Sequence, residues 1–296
     1  MGRGLLRLFV GIIVLGFWVV YVGRSWKDLA AYRWQPSYEF LAAALILYML
    51  AWVGLGLGWQ QTLLAVGGTL SPLIGLRIWV LSTFMRYAPG NVWHILGRVY
   101  LAGLAGESRV SVLASSALEQ VLTVLSALVV FLVSLPFWPN GGGAFLPLLG
   151  LLPVGIGALH PALWNRVVPS ILGKLGYPFS VQAPRYTVLL RLGLLYTVYH
   201  IVAGLGLVMI LASLEPEARR LLGFIIGAQA IAWAAGYLSL LTPGGLGVRE
   251  GALTLLLAPL LGTPIAAVGS ILARLLATLA EALVAGAFGL RRPRLR

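Results

Sequence analysis

Tyr87-Ala88-Pro89-Gly90-Asn91-Val92-Trp93-His94-Ile95-Leu96-Gly97-Arg98 interrupts one long apolar stretch of this chain. A second stretch is broken in a similar way by Leu241-Thr242-Pro243-Gly244-Gly245-Leu246-Gly247-Val248-Arg249-Glu250-Gly251. Each break has a small residue, Pro-Gly, a polar or flexible residue, and a short apolar run carrying an arginine. Proline removes a backbone donor and clashes with the preceding turn, while glycine loosens the backbone. In hydrocarbon such a break survives only where protein or a water-filled cavity satisfies the freed groups. Paired interruptions in two halves of a membrane protein point to a transport site.

The composition sets the solvent. The 296 residues are 60% hydrophobic and 10% charged, with mean hydropathy +0.95. A soluble domain carries about 25% charged residues. The expected fold is therefore all-α: one polytopic integral membrane helix bundle over 1–296, with about 7–8 spans plus re-entrant or broken helices at the two Pro-Gly motifs. The two motifs also suggest an internal repeat. The apolar runs are too long for the alternating strands of an outer-membrane barrel. The net charge of +13 does not indicate nucleic acid, because the basic residues lie mostly at helix ends and termini. Without cysteine there is no disulfide and no thiolate metal site.

Expected spans are Gly4–Val22 (read as an uncleaved first helix), Phe40–Val66, Val112–Leu135, Ala144–Ala158, Leu192–Leu214, Leu221–Leu241 and Pro264–Leu290. Leu73–Tyr87, Val92–Leu104 and Gly247–Leu261 are each about two-thirds of a crossing at 1.5 Å per residue. Trp164–Leu175 reads as an interfacial segment, and most tryptophans read as aromatic belt. Basic residues at both termini and between Arg166 and Arg191 favour a cytoplasmic N-terminus in a cell (inner) membrane, although Arg24, Lys27 and Arg33 then fall outside. With that threading Pro72–Ser111 starts and ends on one side, as a re-entrant hairpin with its tip near Pro89-Gly90 would. Around the second break a crossing and a second hairpin remain equally open.

Ionisable side chains inside the apolar segments are the chemical clue: Arg86, His94, Arg98, Glu119, Arg249, Glu250, Arg274 and Glu281. Seven of these carry charge, and left unpaired in lipid they would cost on the order of 20 kcal/mol. Asn91, His94 and Arg98 share one helix face. So do Ser116, Glu119, Thr123 and Ser126, and so do Ser270, Arg274, Thr278 and Glu281. Three polar stripes facing one another would enclose a polar site, with Glu119 and Glu281 as expected partners for Arg98 and Arg274. Asn91 is placed to cap the helix after the first break, and Gly244–Gly247 to start the one after the second. Both N-termini would aim backbone N–H groups at the site. Four arginines against three glutamates, with those N-termini, favour an anionic guest such as a phosphate headgroup. Thr242, Pro243, Gly244, Gly245 and Gly247 join Pro89, Gly90 and Asn91 as candidate binding residues on this reading. No cofactor is expected.

The sequence resembles the flippase-like transmembrane family typified by the membrane part of lysylphosphatidylglycerol synthases. The resemblance rests most specifically on Thr242–Gly251, with Pro89–Trp93, Gly97-Arg98, Glu119 and Arg274 as further matches. Gln120 departs from the arginine expected after the acid, and Glu281 lies outside the family pattern. The resemblance implies re-entrant helices around a lipid cavity and movement of a phospholipid or polyprenyl-phosphate-linked lipid between leaflets. It also implies work beside enzymes that make lipid-linked products. The aminoacyl-transferase domain of the bifunctional relatives is not expected, nor is lysyl transfer. Two other readings stay open: a non-catalytic partner of a lipid-modifying enzyme or glycosyltransferase, and an integral-membrane lipid-linked transferase.

Overall fold

The computed structural model describes residues 35–87, 93–158, 160–162, 165–166, 184–239, 245 and 247–289. The side chains of residues 86, 87, 140–142, 144, 146, 152, 156, 158 and 289 are not among the described parts. All regular structure in these residues is helical. In chain order the helices are α1 (Tyr38–Ala65), α2 (Pro72–Thr83), α3 (Trp93–Leu104), α4 (Arg109–Ser134), α5 (Leu151–Ala158), α6 (Tyr186–Leu214), α7 (Leu222–Leu238), α8 (Val248–Leu261) and α9 (Thr263–Gly289). Short 3-10 segments link α4 to α5, precede α7 and follow α2.

Among the described residues five helical stretches are long and apolar enough to cross a bilayer: Tyr38–Ala65, Arg109–Phe137, Tyr186–Leu214, Pro216–Leu238 and Thr263–Phe288. The shortest has 23 residues, or about 35 Å of helix against a hydrocarbon core of about 30 Å. The expected first span Gly4–Val22 lies outside the described residues, as does nearly all of Trp164–Leu175. The expected span Ala144–Ala158 is not one continuous α-helix. It divides into a 3-10 segment Pro139–Gly150 and the eight-residue α5. Pro147 and Pro153 remove donors there, and the glycines around them withdraw the side-chain packing that would hold an α-helix.

α1 and α6 pack along each other at the centre, with α4, α7 and α9 around them. The buried apolar residues form two large clusters. One holds the first half of α1 with the later halves of α4 and α6 and much of α7–α9. The other holds the second half of α1, α2, α3 and the earlier halves of α4 and α6.

α2 and α3 have 12 residues each, too few to cross. They pack against each other. The carboxylate of Glu107, just past α3, accepts hydrogen bonds from the N–H and hydroxyl of Thr69, just before α2, both at 2.6 Å. The outer ends of the two helices are thus tied together. Glu107 is buried but Thr69 is exposed, so water can take over the two donors and the loss is that of the tie itself, about 1 kcal/mol. Glu107→Ala is expected to lower the melting temperature in mild detergent, with Glu107→Gln intermediate.

Candidate functional site: a polar cavity at the middle of the long helices

Six of the ionisable residues singled out in the sequence converge on one cavity of about 140 Å³: His94, Arg98, Glu119, Arg249, Arg274 and Glu281. It lies where the two apolar clusters meet. α1 contributes Tyr48–Leu55, about half-way along its length, and α4 contributes Glu119, Gln120 and Thr123. α6 contributes Tyr199 and Ala203, and α9 contributes Arg274 to Glu281. Each of these is also near mid-helix. α7 adds Trp233, Gly236 and Tyr237, and α2 adds Trp79 and Thr83.

Arg98 is 2% exposed, lines the cavity and is engaged through Nε and Nη1. Its guanidinium forms an ion pair with Glu119. It also donates to Ser116 Oγ at 3.4 Å and to Ser82 Oγ at 3.5 Å. It lies 4.7 Å from the Trp59 ring and 5.8 Å from that of Trp79. The other Glu119 oxygen accepts from Trp79 Nε1 at 2.7 Å. Gln120 Nε2 donates to Glu119 at 3.5 Å, and Tyr237 Oη donates to Gln120 Oε1. A buried pair of this kind holds only when such extra bonds saturate it. The expected partnership of Arg98 and Glu119 is therefore present.

Arg274 forms an ion pair with Glu250, at 3.8 Å, a partner the sequence did not point to. Glu250 reaches it because α8 starts immediately after the second break and packs on α9. Glu250 also accepts from the Gly247 N–H at 2.7 Å, capping its own helix. It does not line the cavity, and this N–H of the second break is committed to Glu250 instead of a guest. Gly247 and Gly245 have φ of +81° and +68°, a region that costs other residues 1–2 kcal/mol. They turn the chain behind the cavity wall. Arg249, two residues further on, does line the cavity. Its side chain makes no ion pair or hydrogen bond with any described residue.

Thr242, Pro243 and Gly244 lie outside the described residues, as do Pro89, Gly90 and Asn91; the expected Asn91 cap falls there too. The side chain of Arg86 is likewise outside them. His200 is buried, and its Nε2 donates to the Thr123 carbonyl at 2.9 Å, so it packs α6 onto α4.

The chain belongs to the family of lysylphosphatidylglycerol synthase TM regions. The family's model matches residues 5–285, which includes every element of the cavity. No curated protein and no solved structure matches the chain. Within this TM-region protein the aromatic lining is what sequence reading missed. Trp52, Trp79 and Trp233 stand at the cavity, and Trp59 and Trp138 are buried, where an interfacial belt was expected. Tyr48 was missed as well. In an apolar helix, a Tyr or Trp facing lipid, core or cavity reads alike.

Proposed function

We propose that the protein moves a lipid with an anionic headgroup between membrane leaflets, the headgroup passing through this cavity and the tails staying in the bilayer. The observation that carries the reading is Arg249: a cavity cation without an ion partner among the described residues, while Arg98 and Arg274 each have one. An unpaired intramembrane charge is costly unless a cavity or a ligand receives it. The short α2–α3 pair, with its outer ends tied at Glu107 and Thr69, supports a re-entrant hairpin on one side of a cell membrane. Family membership supports a membrane setting and leaves the guest to be identified.

The test is translocation of fluorescent phosphatidylglycerol in proteoliposomes, read by quenching of the outer leaflet. A charge-assisted bond is worth about 1.5–3 kcal/mol, so Arg249→Ala should slow movement roughly ten-fold or more. Arg249→Lys keeps the charge and should retain part of the rate. Wild-type movement in a folded Arg249→Ala protein would overturn the proposal.

A further inference from the structure

If an anionic headgroup occupies the cavity, as read above, the charges already there decide what must travel with it. Among the described residues Arg98, Arg249 and Arg274 stand on the wall against Glu119 and Glu281. Glu250 meets Arg274 from behind that wall. Three cations thus face three carboxylates, and the set is neutral by itself. The other titratable groups on the wall are Tyr48 of α1, His94 of α3, Tyr199 of α6 and Tyr237 of α7. α2 presents only Trp79 and Thr83 there. An anion seated on Arg249 adds one negative charge to this neutral set, at a depth where an uncompensated charge is costly. Neutrality returns if one carboxylate takes up a proton as the anion arrives.

The contacts single out which carboxylate can do so. Glu119 is committed to Arg98 and Trp79 Nε1, and Glu250 to Arg274 and the Gly247 N–H. A proton on either would dissolve a buried ion pair. Glu281 belongs to neither pair. It is 3% exposed, and a small side pocket sets it with Trp52, Trp79, Val80, Thr83 and Val284. None of these needs a charged neighbour. Thr83 Oγ1 gives its own proton to the Trp79 carbonyl at 2.7 Å. Its lone pairs are left to accept an O–H, which only the acid form of Glu281 carries. A neutral imidazole at His94 does not repel an anion, whereas a charged Glu281 does, so it is Glu281 that must change when the anion enters.

Two unit charges roughly 8 Å apart at an effective dielectric of about 20 repel enough to weaken binding about 30-fold. A cavity of about 140 Å³ keeps a guest and Glu281 near that distance. By reciprocity the anion and the proton then favour each other equally.

We propose that one proton accompanies each anionic headgroup, carried on the Glu281 carboxylate. The proton enters with the headgroup from the more acidic side and leaves to water on the other, which restores the charge of Glu281. Movement is electroneutral for a headgroup of one negative charge, and it follows the pH gradient. One unit of pH sustains up to about a ten-fold imbalance between leaflets.

The test uses the full chain in proteoliposomes with fluorescent phosphatidylglycerol and one pH unit across the membrane. Potassium and valinomycin clamp the potential, protein-free vesicles give the background, and outer-leaflet quenching reads the distribution. Wild type should enrich the lipid in the leaflet facing the alkaline side, and a protonophore should abolish the enrichment. Glu281→Gln, which fixes a neutral side chain, should leave the leaflets even, and Glu281→Asp should keep part of the enrichment. Even leaflets in wild type, with lipid movement intact, overturn the proton inference and leave the transport reading standing. Enrichment that survives Glu281→Gln but is lost in His94→Gln overturns the assignment to Glu281. No lipid movement by wild type at any pH overturns both.

Discussion

Glu119→Ala is expected to be the most destabilising change at the cavity. It leaves the Arg98 guanidinium at 2% exposure without its counter-ion, and Trp79 Nε1 without its acceptor. Removing one member of a buried pair costs about 3–5 kcal/mol. That corresponds to a fall of roughly 10 °C in melting temperature for a chain of this size. Replacing both members with apolar residues of similar volume, as in Arg98→Met with Glu119→Leu, removes the stranded charge and should recover most of the loss. Melting curves of the two single variants and the double variant in one detergent decide the matter. A Glu119→Ala protein as stable as wild type would show that the pair does not hold the fold.

The same series separates the arginines by role. The sequence presents Arg98 and Arg249 alike, each a few residues after a Pro-Gly break. The structure gives Arg98 a carboxylate, two serine hydroxyls and two indole faces, while Arg249, on the same cavity, has no ion partner among the described residues. If the phosphate is held by Arg249, the Arg98→Met/Glu119→Leu protein should move lipid near the wild-type rate, while Arg249→Ala, with the Arg98 pair intact, should be roughly ten-fold slower or more. The reverse pattern would return the phosphate to Arg98.

The helical membrane fold was legible because hydrocarbon leaves a spanning chain few solutions, and apolar runs of 20 or more residues announce one of them. The stripes on α3, α4 and α9 were legible for the same reason: helical spacing puts their members on one face, and charge in lipid must be met. The partner of Arg274 was not. Glu250 belongs to another helix, and only the packing of α8 on α9 brings the two within 3.8 Å. The Ala144–Ala158 segment has a span's hydropathy but a proline and glycine spacing that an α-helix does not sustain. Tyr48 and the cavity tryptophans carry no signal, since their neighbours in sequence are as apolar as any other.

Gly236→Leu should slow lipid movement as much as Arg249→Ala, roughly ten-fold or more, while leaving Arg249 in the chain. Gly236 is where α7 and the second break touch backbone to backbone. A Cβ on Gly236 would stand 2.8 Å from Cβ of Arg249 and 3.4 Å from its Cα. From the other side, a Cβ on Gly245 would meet the Gly236 carbonyl oxygen at 2.5 Å. Neither residue has space for a side chain, and the obstacles are mainly backbone. A leucine on α7 must therefore push the start of α8 away and carry the Arg249 guanidinium off the cavity wall. Overpacking of this sort costs about 1–3 kcal/mol, less than the loss expected from Glu119→Ala, so the protein should remain folded for the assay. Gly54→Ala is the control, because a Cβ there meets nothing within 4 Å. In a mid-helix position it should be neutral or stabilise by up to about 1 kcal/mol. A Gly236→Leu protein that moves lipid at the wild-type rate would mean that the placement of Arg249 against α7 is incidental. Loss of movement without loss of fold would tie the second Pro-Gly break to the site through the contact of Gly236 with Arg249.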